Sequence, residues 1–403
     1  MLRPHCLNII NNITRHSGRK VVARITTRRT HTSQLSLKKR ARGEVSNFLK
    51  LSIHRYSCTG SQQVPRYSSQ ESTKTMCADF TDFAISFERI PQNLRTRLVS
   101  HRGFHSVHDE LTRPIENTLE AYEYAWRTGT TFCECDIALT ADKTLILCHD
   151  DSFRRLAADP ESKVANTPVS ELTLEELSLI SLKDGAKVPT LEEVLDLCSR
   201  FEHAQLVIEI KSGGDAYGTE LAETLGKFLF GLRKDLLSQV AVIMSFSLQT
   251  MLKMKQVSLK SNNDGKPLPK HLILTKVFPE NESLQATADF AYTFDIEDEQ
   301  ELPCKLNQRQ TEVEKNLIAS GEHPLDGIYL QFQEKMLHNP VAQRWLENMS
   351  SKYNVGVWGR NTDPDNVHIG KVLVQLGVSY VNTDFPPNEK YHDPSHAIAL
   401  SAI

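Results

Sequence analysis

The chain has 403 residues, of which 39% are apolar and 24% charged. This composition is ordinary for a globular protein and excludes a fibrous or wholly disordered one. No run approaches the roughly 20 consecutive apolar residues of a membrane-spanning helix, so no transmembrane segment is expected. The eight cysteines contain no C-x-x-C pair, which argues against a disulfide framework or a cysteine zinc site.

The net charge of −3 is divided unevenly along the chain. Residues 1–75 contain 15 of the 47 Lys and Arg residues but only two of the 50 acidic residues, Glu44 and Glu71. The segment is rich in Ser and Thr and lacks a secretory apolar core, a pattern typical of a mitochondrial or plastid transit peptide. We therefore predict a disordered basic extension over 1–75 and a linker over 76–95, with a cytoplasmic protein as the alternative. No nucleic-acid motif accompanies the basic charge, so no nucleic-acid partner is expected.

From about residue 96, short apolar runs alternate with segments of helical periodicity, which indicates repeated β-α units. The nine runs are 98–101, 132–139, 145–149, 206–211, 240–246, 271–277, 327–332, 355–358 and 378–383. The helical segments are 119–127, 190–199, 219–233, 248–257, 341–350 and 366–376. Thr190, followed three residues later by Glu193, predicts a capping box at the start of one of these helices.

This order of elements predicts an α/β fold, a single (β/α)8 TIM barrel over 96–392, with a C-terminal tail over 393–403. Nine runs exceed the eight strands of a barrel by one. A doubly wound open sheet is the alternative, but no glycine-rich phosphate loop follows any run. The polar stretches 151–189 and 280–324 are expected to be elaborations of loops.

Charged residues fall at the downstream ends of five runs, where a barrel gathers its catalytic groups. In chain order they are His101-Arg102-Gly103, Glu134-x-Asp136, His149-Asp150, Glu209-x-Lys211 and Thr383-Asp384. We therefore expect these five ends to converge on one pocket.

The alternation of side chains along a strand points Glu134 and Asp136 the same way, and likewise Glu209 and Lys211, so three carboxylates are expected to share one pocket. Three carboxylates that line an apolar barrel need a counter-charge, and oxygen ligands suit Mg²⁺ or Ca²⁺. One divalent cation is predicted, and simple salt bridges are the alternative interpretation.

Two histidines accompany these acids at the run ends. Histidine as a residue type ordinarily titrates near neutral pH, so His101 and His149 are expected to divide the work of general base and general acid. Arg102 offers a planar fork and Lys211 a compact charge, both suited to a phosphate group. The sequence thus predicts phosphoryl chemistry on a small anionic substrate; it leaves the oligomeric state open.

Other candidates carry weaker signals. Trp358 is interpreted either as packing at the barrel end or as an apolar wall for a substrate head group. His105 and His108 lie in a polar loop and are expected to be solvated. No G-x-S-x-G elbow surrounds Ser245, so a packing or polar role is expected for it rather than nucleophilic catalysis.

Residues 98–387 resemble the glycerophosphodiester phosphodiesterase family. The resemblance rests on His101-Arg102-Gly103, Glu116-Asn117-Thr118, Glu134-Cys135-Asp136, His149-Asp150 with Arg155, Glu209-Ile210-Lys211, Ser245-Phe246, Trp358 and Thr383-Asp384-Phe385-Pro386, in this order. It implies a phospholipase-C-like barrel whose metal ligands are Glu134, Asp136 and Glu209. It also implies that His101 and His149 are the general acid and base and that Arg102 and Lys211 hold the phosphate, with Glu116 as a further polar contributor to substrate binding.

The resemblance implies hydrolysis of small phosphodiesters such as glycerophosphocholine or glycerophosphoethanolamine to glycerol 3-phosphate and an alcohol. A lysophospholipase-D-like enzyme and a non-catalytic barrel that binds phosphodiesters are the alternatives. A phosphatidylinositol-specific phospholipase C is a more distant one. The choice between Mg²⁺ and Ca²⁺ stays open.

Overall fold

The computed structural model describes residues 87–105, 113–211, 213–262, 265, 267–275, 314, 324–332, 334–359 and 366–384. The predicted extension over 1–75, the tail over 393–403 and almost all of the polar stretch 280–324 lie outside the described residues.

A closed parallel barrel is the centre of the described structure. Its nine described strands are β1 (Leu98–Ser100), β2 (Phe132–Leu139), β3 (Leu145–Leu147), β4 (Gln205–Ile210), β5 (Val240–Ser245), β6 (Lys270–Thr275), β7 (Gly327–Gln331), β8 (Asn354–Trp358) and β9 (Tyr380–Thr383). Eight of them pair in parallel in the order β1-β9-β8-β7-β6-β5-β4-β2, and β1 also pairs with β2, which closes the ring. The predicted (β/α)8 TIM barrel is confirmed.

One of the nine runs, 145–149, is not a strand of the parallel barrel. β3 pairs with β2 in antiparallel register, with Leu147 opposite Ile137 and Leu145 opposite Leu139, so it is the return strand of a hairpin and lies outside the parallel ring. Apolar periodicity reports burial and not strand direction, which is why the sequence suggested nine equivalent runs. The hairpin nevertheless brings His149 back to the end of the barrel where the other charged run ends lie.

Helices follow most of the strands. In the described residues they are α1 (Gln92–Arg95), α2 (Leu119–Arg127), α3 (Lys163–Asn166), α4 (Leu174–Leu177), α5 (Leu191–Cys198), α6 (Asp215–Lys227), α7 (Leu248–Ser261), α8 (Lys335–His338), α9 (Pro340–Lys352) and α10 (Val367–Gln375). All six predicted helical segments are present. Thr190 caps α5, and its partner Glu193 completes the predicted capping box.

The inside of the barrel is filled by apolar side chains from alternating strand positions. Val99, Val207, Val242 and Leu272 form this cluster together with Tyr329, which is fully buried. Gly356 on the neighbouring strand gives Tyr329 its space, because a Cβ at this position would lie 2.4 Å from the ring. The barrel is therefore a packed core, and its chemistry is confined to one end.

The polar stretch 151–189 is more than a loop. It contains α3, α4 and a short 3₁₀ helix, Val169–Glu171, and buries its own apolar cluster, which includes Phe153, Leu172 and Leu182. This insertion places residues 168–171 on the wall of the cavity described below. None of the helices in the described parts of the chain is both long and apolar enough to cross a bilayer.

Candidate active site

The carboxyl ends of the barrel strands open into a cavity of about 1000 Å³. His101, Glu134, Glu209 and Trp358 reach it from β1, β2, β4 and β8, and the 3₁₀ helix Val169–Glu171 of the insertion reaches it from one side. Because parallel strands deliver their carboxyl ends to the same face, residues far apart in the chain meet there.

Three acidic side chains form a compact group at the wall of this cavity, which Glu134 and Glu209 line directly. Glu134, Asp136 and Glu209 each contribute one carboxylate oxygen, and these oxygens lie within 4.8 Å of one another. Glu134 and Asp136 are each only 1% exposed, and Glu209 is 9% exposed. The parallel register, in which Asp136 lies opposite Glu209 on β4, brings the two strands' acids together.

The chemistry of this acidic group fits a divalent cation. Oxygen Oε1 of Glu134 is buried and has no hydrogen-bond partner among the described residues, and a buried acceptor without a partner is costly. Burial, followed by the charge of Asp136, raises the pKa of Glu134 to about 8. A bound cation would supply the missing partner and the missing charge, and three carboxylates are hard oxygen ligands of the type that Mg²⁺ and Ca²⁺ select.

Two basic residues partly balance the acids. The Nζ atom of Lys211 lies 2.8 Å from Oε1 of Glu209 and 3.2 Å from Oδ1 of Asp136. The Nε atom of Arg102 lies 3.2 Å from Oδ2 of Asp136, and the Arg102 backbone N–H donates to Glu134. Burial opposes ionisation of Asp136, but Lys211 and Arg102 hold its pKa well below the ordinary value.

Asn117, which was not assigned a role from the sequence, orients Asp136. The amide Nδ2 of Asn117 donates to Oδ2 of Asp136 over 2.9 Å, while its Oδ1 accepts from the hydroxyl of Tyr122 over 2.7 Å. Asn117 adopts a positive φ of 56°, a conformation that asparagine tolerates better than most residues. Its position directly after Glu116 was the available signal.

His101 is held by the last strand. Its Nδ1–H donates to Oδ1 of Asp384 over 2.6 Å, which leaves Nε2 on the other side, 3.9 Å from Glu134. Burial and Arg102 lower the pKa of His101, but Asp384 and Glu134 outweigh them and raise it to about 9. Asp384 was expected at a convergent run end but was given no role.

His149 has a carboxylate partner of the same kind. Its Nδ1–H donates to Oδ1 of Asp150 over 2.7 Å.

Glu116, which was predicted to help bind substrate, lines the cavity. Its carboxylate accepts from Arg102 over 3.0 Å and from both terminal nitrogens of Arg155. The structure thus brings Glu116 into the group and places it between two arginines.

His105 does not lie where the sequence suggested. It is 5% exposed, and its Nδ1 donates to the backbone carbonyls of His101 and Gly103. Burial lowers its pKa to about 4. The prediction of a solvated His105 was wrong because its ring is buried and pairs with backbone carbonyls instead of water. His108 lies outside the described residues.

An aromatic wall faces the charged side of the cavity. Trp358 and Phe246 contact each other edge to face, with ring centroids 5.8 Å apart, and both line the cavity. The Trp358 Nε1–H donates to the carbonyl of Thr275, so this residue both packs at the barrel end and presents a wall. Ser245 is fully buried and donates to the carbonyl of Ile210, which agrees with the packing role predicted for it.

Sequence comparison identifies relatives of this chain. The model of the glycerophosphoryl diester phosphodiesterase family matches residues 101–302. A glycerophosphodiester phosphodiesterase of Bacillus subtilis is 32% identical over 177 residues, which cover 40% of this chain and 56% of that protein. A lysophospholipase D of Rattus norvegicus is 25% identical over 158 residues, covering 36% of this chain and 46% of that protein. The matches span about half to three-fifths of the length of the curated relatives.

Solved structures of similar proteins were also found. A phosphodiesterase of Oleispira antarctica in complex with sn-glycerol-3-phosphate aligns over 75% of this chain and 96% of its own, with 15% identity and a TM-score of 0.47. A glycerophosphodiester phosphodiesterase of Thermotoga maritima aligns over 72% of this chain and 96% of its own, with 18% identity and a TM-score of 0.43.

The match to the family model begins at His101 and covers half of the 403 residues. It includes the two histidines, the three clustered acids, Arg102 and Lys211. The chain belongs to the glycerophosphoryl diester phosphodiesterase family.

Proposed function

We propose that this chain hydrolyses glycerophosphodiesters, such as glycerophosphocholine and glycerophosphoethanolamine, to glycerol 3-phosphate and a free alcohol. One observation carries the proposal: His101 and His149, each held at Nδ1 by a carboxylate, line the same cavity as the acidic group. This arrangement provides two proton-transfer groups beside a site for a cation.

Substrate binding uses the charges that line the cavity. Glu134, Asp136 and Glu209 would hold Mg²⁺ or Ca²⁺, and the bound ion would neutralise charge that develops on the phosphate in the transition state. Arg102 and Lys211 flank these acids and bind the non-bridging phosphate oxygens of the substrate. Together they orient the diester before any bond changes.

The histidines move the protons. One imidazole Nε2 takes the proton of the attacking hydroxyl as its oxygen bonds to phosphorus, and the other Nε2 gives a proton to the departing alkoxide. The attacking group is water or the neighbouring hydroxyl of the substrate's own glycerol. In the second route a cyclic phosphate forms first, and water then opens it with the two histidine roles exchanged.

A second substrate class has separate support. Met244, Phe246, Leu274 and Trp358 give the cavity an apolar side, and one relative is named a lysophospholipase D. An acyl chain would lie against this side and leave the phosphodiester near the acids. A barrel that binds phosphodiesters without cleaving them is less favoured, because every predicted acid, base and phosphate ligand is present.

Product identification tests the proposal. The full chain is stripped of metal, supplied with Mg²⁺ or Ca²⁺, and incubated with glycerophosphocholine or lysophosphatidylcholine while phosphorus NMR follows the products. Glycerol 3-phosphate from the first substrate supports the proposed function, and lysophosphatidic acid from the second supports the alternative. No product from either substrate with a folded, metal-loaded protein would contradict both.

We also propose that the basic segment 1–75 directs the protein to a mitochondrion or plastid. Its 15 basic and two acidic residues support this proposal. A fusion of residues 1–75 to a fluorescent protein is expected to enter one of these organelles, and a fusion that stays in the cytosol would contradict the proposal.

A further inference from the structure

The hydrogen bonds that hold His149 continue beyond Asp150 to Arg155. Asp150 accepts from His149 through Oδ1 over 2.7 Å, and its other oxygen, Oδ2, accepts from Nε of Arg155 over 2.7 Å. The carboxylate of Asp150 is therefore held at both oxygens, between an imidazole and a guanidinium.

Arg155 uses the rest of its guanidinium on a second carboxylate. Its Nη1 donates to Oε2 of Glu116 over 2.8 Å, and its Nη2 donates to Oε1 of Glu116 over 2.7 Å. This is the paired geometry in which arginine recognises a carboxylate most specifically. Glu116 is only 6% exposed, so it is a fixed anchor rather than a mobile surface acid.

Glu116 connects Arg155 to the phosphate side of the cavity. Its Oε1 also accepts from Nη1 of Arg102 over 3.0 Å, and Nε of Arg102 lies 3.2 Å from Asp136. A continuous series of charged contacts therefore runs from Asp136 through Arg102, Glu116, Arg155 and Asp150 to His149.

Arg155 itself does not touch the cavity. Among the described residues that line it, Asp150 and Glu116 are present and Arg155 is not. Arg155 faces a second, adjoining opening together with Arg154 and Lys183, and Asp150 lies between this opening and the cavity. Any effect of Arg155 on the reaction must therefore pass through its carboxylate partners.

We propose that Arg155 is a positioning residue that fixes His149 through Asp150 and joins it, through Glu116, to the phosphate-binding Arg102. This inference rests on the proposed function for its kinetic consequence. With Asp150 fixed, its Oδ1 keeps the proton of His149 on Nδ1, so that Nε2 presents its lone pair to the cavity. Without Arg155, Asp150 loses the contact that orients it.

The kinetic test compares two neighbouring arginines. Arg155→Met is expected to lower kcat by roughly 10–100-fold, as removal of an outer group that orients a site residue does. KM for glycerophosphocholine should change little, because Arg102 and Lys211 remain. Arg154→Met is the matched control: Arg154 is 63% exposed and pairs with Glu161, so kcat should not change. Arg155→Lys should recover only part of the loss, because one ammonium cannot bridge both carboxylates.

A double-mutant comparison separates positioning from a general loss of structure. In an Asp150→Asn background, Arg155→Met should cause less than a threefold further loss of kcat, because its path to His149 is already broken. In an Asp384→Asn background, which alters the other histidine, the full 10–100-fold loss should persist. Equal losses in both backgrounds would overturn the proposal.

A spectroscopic measurement tests the inference without turnover. The Nδ1 proton of His149 should give a downfield NMR signal that survives Arg154→Met and is lost in Arg155→Met through exchange with solvent. An unchanged signal in Arg155→Met would overturn the positioning role. A lost signal in a protein that releases no glycerol 3-phosphate would support the positioning role while contradicting the proposed function.

Discussion

The two ends of the barrel carry similar residue types, but these residues line an open cavity at one end and are buried at the other. At the carboxyl end, histidines and acids line an open cavity. At the amino end, His271 is fully buried, with its Nε2 2.9 Å from the hydroxyl of Ser258 and its Nδ1 3.5 Å from Asp326.

The amino-end cluster has the residue types of a Ser-His-Asp triad but is closed. Both Ser258 and His271 are 0% exposed, and Lys255 lies 2.8 Å from Asp326. The Ser258 hydroxyl and the Asp326 carboxylate are engaged within the protein, and no substrate can reach the buried serine. The comparison teaches that access to a cavity, rather than residue type, distinguishes a site for chemistry from a cluster that stabilises the fold.

The largest effect should come from the acidic group. Glu134→Gln removes a cation ligand and is expected to lower kcat/KM by about 10³-fold or more. The melting temperature should stay equal or rise, because a buried carboxylate near other acids disfavours folding. Steady-state kinetics and thermal unfolding measure both quantities, and a variant that keeps wild-type kcat/KM would contradict the placement of the cation.

A smaller loss is expected from the partner of His101. Asp384→Asn keeps the size of the side chain but no longer fixes the proton on Nδ1 of His101, so kcat should fall by about 10–100-fold. The kcat of His101→Ala should fall at least as far as that of Asp384→Asn. If Asp384→Asn is as active as the wild type, the histidine is oriented by other groups.

The amino-end cluster should respond in the opposite way. Ser258→Ala leaves Nε2 of His271 buried without a partner and is expected to lower the free energy of unfolding by about 1–3 kcal/mol. Because Ser258 is buried and does not line the cavity, kcat/KM should be unchanged. Denaturant unfolding beside steady-state kinetics checks this prediction, and loss of turnover in a fully folded variant would break the comparison.

The smallest effect concerns acid stability. Burial lowers the pKa of His271 below its ordinary value of 6.5, so the unfolded chain binds this proton first as the pH falls. The contribution of His271 is therefore complete above pH 6.5 and is lost on acidification. Asp326, whose pKa is lowered by His271 and Lys255 against the effect of burial, acts in the same direction at lower pH.

In the variant His271→Gln, the side chain at this position cannot titrate. Its melting temperature should therefore fall by roughly 2 °C less than that of the wild type between pH 7 and pH 5. Parallel curves for the wild type and His271→Gln would show that this histidine does not contribute to acid sensitivity.

The sequence was sufficient for the barrel and for the convergence of the acids. Strand alternation placed Glu134 beside Asp136, and parallel topology then required Glu209 to meet them, which the structure shows. The chemistry of histidine gave expected roles for His101 and His149, and the resemblance to the family implied the same roles. These roles stay predictions until the variants are measured.

The sequence could not predict the direction of each strand or the contacts between residues that lie far apart in the chain. Periodicity does not report that β3 runs antiparallel to β2. The pairing of Asp384 with His101 joins residues 283 positions apart, and that of Arg155 with Glu116 depends on the fold of the insertion. His105 looked solvated because its neighbours in the chain are polar, whereas in the fold its Nδ1 pairs with the carbonyls of His101 and Gly103.

The most direct test of the central claim is the rate of glycerol 3-phosphate release from glycerophosphocholine by the full chain, with and without Mg²⁺ or Ca²⁺ after chelation. The wild type and Ser258→Ala should show equal, ion-dependent rates, and Glu134→Gln and His101→Ala should be nearly inactive. Release that needs neither the ion nor His101, or that is lost in folded Ser258→Ala, would contradict a glycerophosphodiesterase site at the carboxyl end of the barrel.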